Sequence, residues 1–206
     1  MSLNLSDLPI NLFDVVVLVV LIAGIMQGSK HGMSEELLSL LKWLAILLGC
    51  AAAYEPGAAL ISQFTSIFSQ LTCYLVAYVV GGLLIFAAFL GIKRAFSGKL
   101  LGSDIFGRSE YYLGMGSGLV RAGCMLLAAL ALLNARYFSP KEVRAMEARD
   151  IDIYGSDFFP GLHSLQASVF EKSLTGPWIR ENLGFLLIKQ TAPESKELHQ
   201  KEFSFP

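Results

Sequence analysis

No charged residue occurs from Pro56 through Ile92, and between Glu110 and Arg136 the single charge is Arg121. An α-helix rises about 1.5 Å per residue and the hydrocarbon core of a bilayer is about 30 Å thick, so roughly 20 apolar residues span it. Of the 206 residues, 54% are hydrophobic and 16% charged, whereas soluble domains carry about a quarter charged. The chain therefore reads as an all-α integral membrane protein. A net charge of −1 and the lack of a basic stripe interleaved with aromatics leave no footprint for nucleic acid.

Four segments have the character of spans: about Leu12–Met26, Leu37–Tyr54, Leu71–Ile92 and Leu113–Asn134. No Lys or Arg precedes Lys30, so the first lacks the positive n-region of a signal peptide and is expected to be a retained span. The turn after it holds Lys30 and His31, and the loop before the fourth span holds Lys93, Arg94, Lys99 and Arg108. Neither the stretch before Lys30 nor that from Glu55 to Gln70 contains Lys or Arg. The positive-inside rule then predicts cytoplasmic basic connections, with both termini outside the cytoplasm.

Residues 1–135 read as a four-span domain and residues 136–206 as an amphipathic tail, periplasmic by the same rule. Ser139, Pro140 and Glu142 make a capping box. FFPGLHSLQASVFEKSL and PWIRENLGFLLIK read as two short amphipathic helices, with Phe158, Phe159, Phe170, Trp178 and Phe185 on apolar faces. Such helices lie in the membrane interface or pack on the outer ends of the spans, and the sequence leaves both arrangements open. After Thr191 the chain is polar and is expected to fray.

Ionisable residues inside spans are functional candidates by default, because burying them is costly unless they are paired or reach water. Four qualify: Asp14, Glu36, Lys42 and Arg121. Asp14 reads as a carboxylate at headgroup level. Lys42 reads as a snorkelling side chain, beside a Trp43 that is deep for an interfacial belt. Arg121 is harder to accommodate, because it lies about 12 Å into the fourth span at the helical rise. Gly114 and Gly118 form a GxxxG pair continued by Ala122, a pattern that lets another helix approach closely. Arg121 borders that face. Its expected partner is Glu36, which follows Ser34 and Glu35 at the start of the second span, where an acidic residue suits the helix dipole. An Arg121–Glu36 pair would lock the bundle or take part in moving ions.

FDVVVLVVLIAGIMQGSKHGMSEELLSLLKW resembles the colicin V production (CvpA) family of small bacterial membrane proteins. In that family an aspartate opens the first span, a Gly/Arg-rich turn follows, and a glutamate precedes an LSL-type helix ending in Trp. Asp14, Gly28, Lys30, Gly32, Glu36, Leu38, Ser39, Leu40 and Trp43 match. In EYYLGMGSGLVRAG, Leu113, Gly114, Gly118 and Arg121 match, with Glu110 where an aspartate is usual. Gln27 and Glu35 stand where arginine is common, Ser117 replaces an aromatic, and Ala122 replaces a glycine. The resemblance implies four spans, an inner-membrane location, and a role in production or export of the toxin colicin V.

Three function classes follow. The first is a membrane factor supporting toxin production or envelope homeostasis through a membrane protein partner. The second is an oligomeric small channel or transporter with Glu36 and Arg121 at its cytoplasmic side. The third, an enzyme, is not expected, because no paired carboxylates, nucleophile–base arrangement or phosphate-cradling loop is present. No cofactor or metal is expected either. His31, His163 and His199 lie far apart, and Cys50, Cys73 and Cys124 sit in apolar runs as small hydrophobes.

Overall fold

The computed structural model of the chain describes residues 11–64, 68–96, 109–139, 142–146 and 161–191. Its principal helices are α1 (Leu12–Phe64), α2 (Gln70–Phe96), α3 (Glu110–Asn134), α4 (Leu162–Phe170) and α5 (Thr175–Asn182). Leu12–Met33, Glu36–Phe64, Gln70–Ala95 and Glu110–Asn134 are each long and apolar enough to cross a membrane. The chain is an all-α protein with four such helices, as its uncharged runs predict.

Two boundaries differ from expectation. The first two spans are two helices that meet directly at a kink, the two limbs of α1, with no loop through Lys30 and His31. The break falls on Gly32, whose φ of 72° and ψ of 171° are non-helical. Glycine occupies that region readily and other residues do not, so one residue suffices to redirect the chain. The second limb also does not stop at Tyr54. It continues through Pro56 to Phe64, because Ala58, Ala59, Leu60 and Ile61 extend the apolar run despite the backbone hydrogen bond that proline removes.

α2 lies antiparallel to the second limb, with Gly49 against Ile85 and Gly57 against Ala77. The Cys50 thiol donates to the Tyr78 carbonyl at 3.5 Å. α3 also packs on this limb, where Leu47 and Cys124 share a buried cluster bordered by Trp43, Ala51 and Leu127. The first limb packs against α3 through the glycines described below.

A larger core joins the spans to the tail. Ile46, Cys50, Tyr54, Tyr78, Leu130 and Ala131 are buried together with Val169, Phe170, Leu187 and Ile188. Polar contacts reinforce it. Asn134 donates to the Ile188 carbonyl at 3.0 Å, Asn11 to the Ser168 carbonyl at 2.9 Å, and Gln166 to the Arg136 carbonyl at 3.0 Å. Lys189 and Glu55 pair at 2.6 Å, and that contact holds the Lys189 ammonium above the ordinary lysine range. The tail thus packs on one end of the bundle, which is one of the two arrangements the sequence left open. Phe170 is buried there, while Trp178 is 60% and Phe185 71% exposed. The capping box keeps its return arm, since the Ser139 amide donates to Glu142 Oε2 at 3.2 Å. Pro140, Phe158, Phe159 and the polar end after Thr191 lie outside the described residues.

Asp14 has a more specific task than headgroup contact. Its Oδ1 accepts from the Thr175 amide at 3.1 Å and the Thr175 hydroxyl at 2.7 Å, and its Oδ2 from the Leu174 amide at 3.1 Å. Orphan amides at the start of α5 are thus capped by a carboxylate from the first turn of α1. Asp14→Ala is expected to remove about 0.5–2 kcal/mol from this docking and to speed proteolysis within residues 161–191 of the purified protein. Cleavage at the wild-type rate would show that the cap does not hold the tail.

Candidate functional site

The break at Gly32 gathers the polar side chains of the spanning region. Gln27 and His31 lie one turn apart just before it, Glu36 lies just after it, and α3 brings Arg121 to them. The expected Glu36–Arg121 pair forms: Arg121 Nε is 3.4 Å from Glu36 Oε2, with the side chains 13% and 4% exposed. Arg121 Nη2 also donates to Gln27 Oε1 at 2.8 Å. His31 Nδ1 is 2.9 Å from the Gln27 carbonyl oxygen, and since a carbonyl only accepts, that nitrogen carries the hydrogen. The same nitrogen is 3.9 Å from Glu36 Oε1. A carboxylate, a guanidinium, an amide and an imidazole therefore converge where the helix breaks.

The pair is tight but incompletely satisfied. Among the described residues, Glu36 Oε2 and Arg121 Nε are buried without a hydrogen-bond partner. Their contact is electrostatic at 3.4 Å and lacks the aligned donors of a bidentate bridge. Such atoms are uncommon in well-packed interiors.

A glycine seam presses the cluster together. Gly24, Gly28 and Gly32 of the first limb face Gly114, Gly118 and Ala122 of α3, and both rows are spaced by four. A Cβ added at Gly114 would come within 2.5 Å of the Gly28 carbonyl oxygen, and one at Gly24 within 2.5 Å of the Ala122 Cβ. One added at Gly28 or Gly118 would also strike the facing backbone, and one at Gly32 would meet Glu110 Cγ at 2.8 Å. The two backbones touch directly, the arrangement small residues permit between membrane helices.

Lys42, read from the sequence as a snorkelling side chain, lies beside two aromatic rings. Its ammonium lies 4.8 Å from the centroid of the Phe86 ring and 5.9 Å from that of Trp43. α2 runs close enough to offer an aromatic face, so the ammonium has a cation–π contact along its stem's path. Trp43 packs against both buried clusters, which explains its depth.

Of the residues singled out in the sequence, Gly28, Gly32, Glu36, Gly114, Gly118 and Arg121 come together at this break. Asp14 is engaged with the tail, and Trp43 serves the core. Sequence reasoning missed Gln27, His31 and Gly24. Their signals were present, since Gln27 and His31 are four apart and Gly24, Gly28 and Gly32 repeat at four.

A family model described as Colicin V production protein matches residues 13–167, well over half of the chain. The match spans the Gly32 break, all of α2 and α3, and most of α4. No curated protein and no solved structure matches the chain.

Proposed function

The chain belongs to the colicin V production family, and on that premise we propose a non-enzymatic bacterial inner-membrane factor that supports toxin production or export and envelope homeostasis through a membrane protein partner. The observation that carries this reading is the closed seam between the first limb and α3. Backbone meets backbone there, which leaves no file for water between those helices and seals one side of the polar cluster. A bundle closed in this way acts through its outer surface. On that surface Gly116 and Gly123 lie seven apart on α3, with nothing within 4 Å of an added Cβ at either, so a neighbouring helix has room to approach. Crosslinking followed by blue-native electrophoresis of gently solubilised membranes is expected to give a heteromeric band of fixed stoichiometry. Gly116→Leu/Gly123→Leu should remove that band without altering the thermal unfolding of the chain itself. A band that persists in this variant, or is never formed, contradicts the reading.

A second reading rests on a different observation. Glu36 Oε2 and Arg121 Nε are buried and without hydrogen-bond partners among the described residues, beside a broken helix. Intramembrane charges and broken helices mark ion pathways in many transporters. An oligomeric channel with this region at its cytoplasmic side would meet that description. Purified protein that remains monomeric and passes no current in planar bilayers rules it out.

A further inference from the structure

A second cationic feature stands apart from the Glu36–Arg121 contact, in the groove between the second limb and α2. Lys42 and Lys93 line a cavity of about 90 Å³ together with Ser39, Leu38, Phe89 and Leu90. Lys42 and Lys93 thus bring two like charges to one cavity from neighbouring helices. Among the described residues neither ammonium has a carboxylate within 4 Å. The antiparallel register set by Gly49 on Ile85 and Gly57 on Ala77 brings Lys42 level with the last turn of α2, which holds Lys93. The groove therefore opens where the span ends, at the Gly32 end of the bundle.

We propose that this groove binds the phosphate of an anionic lipid headgroup from the leaflet bordering that end. Two ammoniums and the Ser39 hydroxyl supply donors to one phosphate, and an anion between Lys42 and Lys93 replaces their repulsion with charge-assisted contacts. Leu38, Phe89 and Leu90 offer an apolar wall that suits the adjoining acyl chain. Basic pockets between transmembrane helices hold anionic headgroups in this way. A soluble phosphate shares the headgroup chemistry but has no use for the apolar wall.

The test uses the full chain, purified in zwitterionic detergent and stripped of lipid. Phosphatidylglycerol is expected to raise the unfolding temperature and to persist as an adduct in native mass spectra, while phosphatidylcholine does neither. Each lysine replaced, in Lys42→Gln and Lys93→Gln, should lower retained phosphatidylglycerol by about five-fold, and Lys42→Arg/Lys93→Arg should keep it. Inorganic phosphate forms the second arm. If it stabilises the protein as much as the lipid, and the Gln variants abolish both effects, the site is a phosphate site filled from solution and the lipid assignment is overturned. Equal binding of phosphatidylcholine, or undiminished phosphatidylglycerol in the Gln variants, overturns the site itself. Lys93 is exposed on the rim, so Lys93→Gln alone provides a folded variant should the Lys42 substitution prevent folding.

Discussion

Arg121→Leu is expected to destabilise the protein by about 3–5 kcal/mol, because breaking a buried pair strands the other charge. Glu36 is 4% exposed and would keep its carboxylate at the helix break with no guanidinium beside it. Gln27 Oε1 would lose its donor at the same time. His31 does not replace Arg121, since its Nδ1 is engaged by the Gln27 carbonyl and stands 3.9 Å from Glu36. Glu36→Leu should be costly for the mirror reason, though less so, because Arg121 keeps its contact with Gln27. Removing both charges is a different experiment. Replacing a buried ion pair by apolar residues of similar volume is often neutral or stabilising, so Arg121→Leu/Glu36→Leu should recover most of the loss. Unfolding from mixed micelles with rising denaturing detergent reads all four corners of the cycle, and contacting residues show coupling of about 0.5–3 kcal/mol. Single variants within about 0.5 kcal/mol of wild type would mean that the pair contributes nothing to holding the bundle. A stable double variant that no longer supports function would place the charges in the activity and not in the fold.

The residues that were legible in the sequence and those that were not divide along a physical line. Uncharged runs report on solvent, and the bilayer admits few alternatives to a helix, so the four spans could be read from composition. Glu36 and Arg121 could be paired because depth along a span is a single coordinate and few charges shared it. The Gly32 break was not legible. SKHGMS has the polarity of a turn, and polarity does not distinguish a loop from a helix bent at one positive-φ glycine. The contact made by Asp14 was hidden more deeply, since two of its donors are the backbone amides of Leu174 and Thr175, 160 and 161 residues away. Backbone donors leave no trace in side-chain identity. The aromatic contact of Lys42 was not legible because the sequence considers one helix alone, and the Phe86 ring beside the ammonium belongs to another. The tail could be read as amphipathic, but an apolar face fits a bilayer or a protein core equally well. The choice between them rests on contacts such as Asn134 with the Ile188 carbonyl.

Gly28→Val should lower stability by about 1–3 kcal/mol or more, the cost of forcing volume into a packed interior. The reason lies in what the new atoms would meet. At many glycines an added Cβ presses on the end of a flexible side chain, which can turn away. At Gly28 it meets the Gly114 carbonyl and the Gly118 Cα, and at Gly118 it meets the Gly24 carbonyl and the Gly28 Cα. No rotamer relieves a clash with backbone. The first limb must then separate from α3, and because Gln27 precedes Gly28 directly, the separation draws its amide away from Arg121. Gly28→Val and Arg121→Leu are therefore expected to be less than additive, since each removes part of what the other would break. Gly116→Val supplies the control on the same helix as Gly118. Nothing lies within 4 Å of its added Cβ, and the variant should stay within about 0.5 kcal/mol of wild type. If Gly28→Val unfolds at the wild-type detergent concentration, the seam opens without cost. The first limb could then swing about Gly32, and the sealed bundle that favours a partner-based role would give way to one that admits water to Glu36.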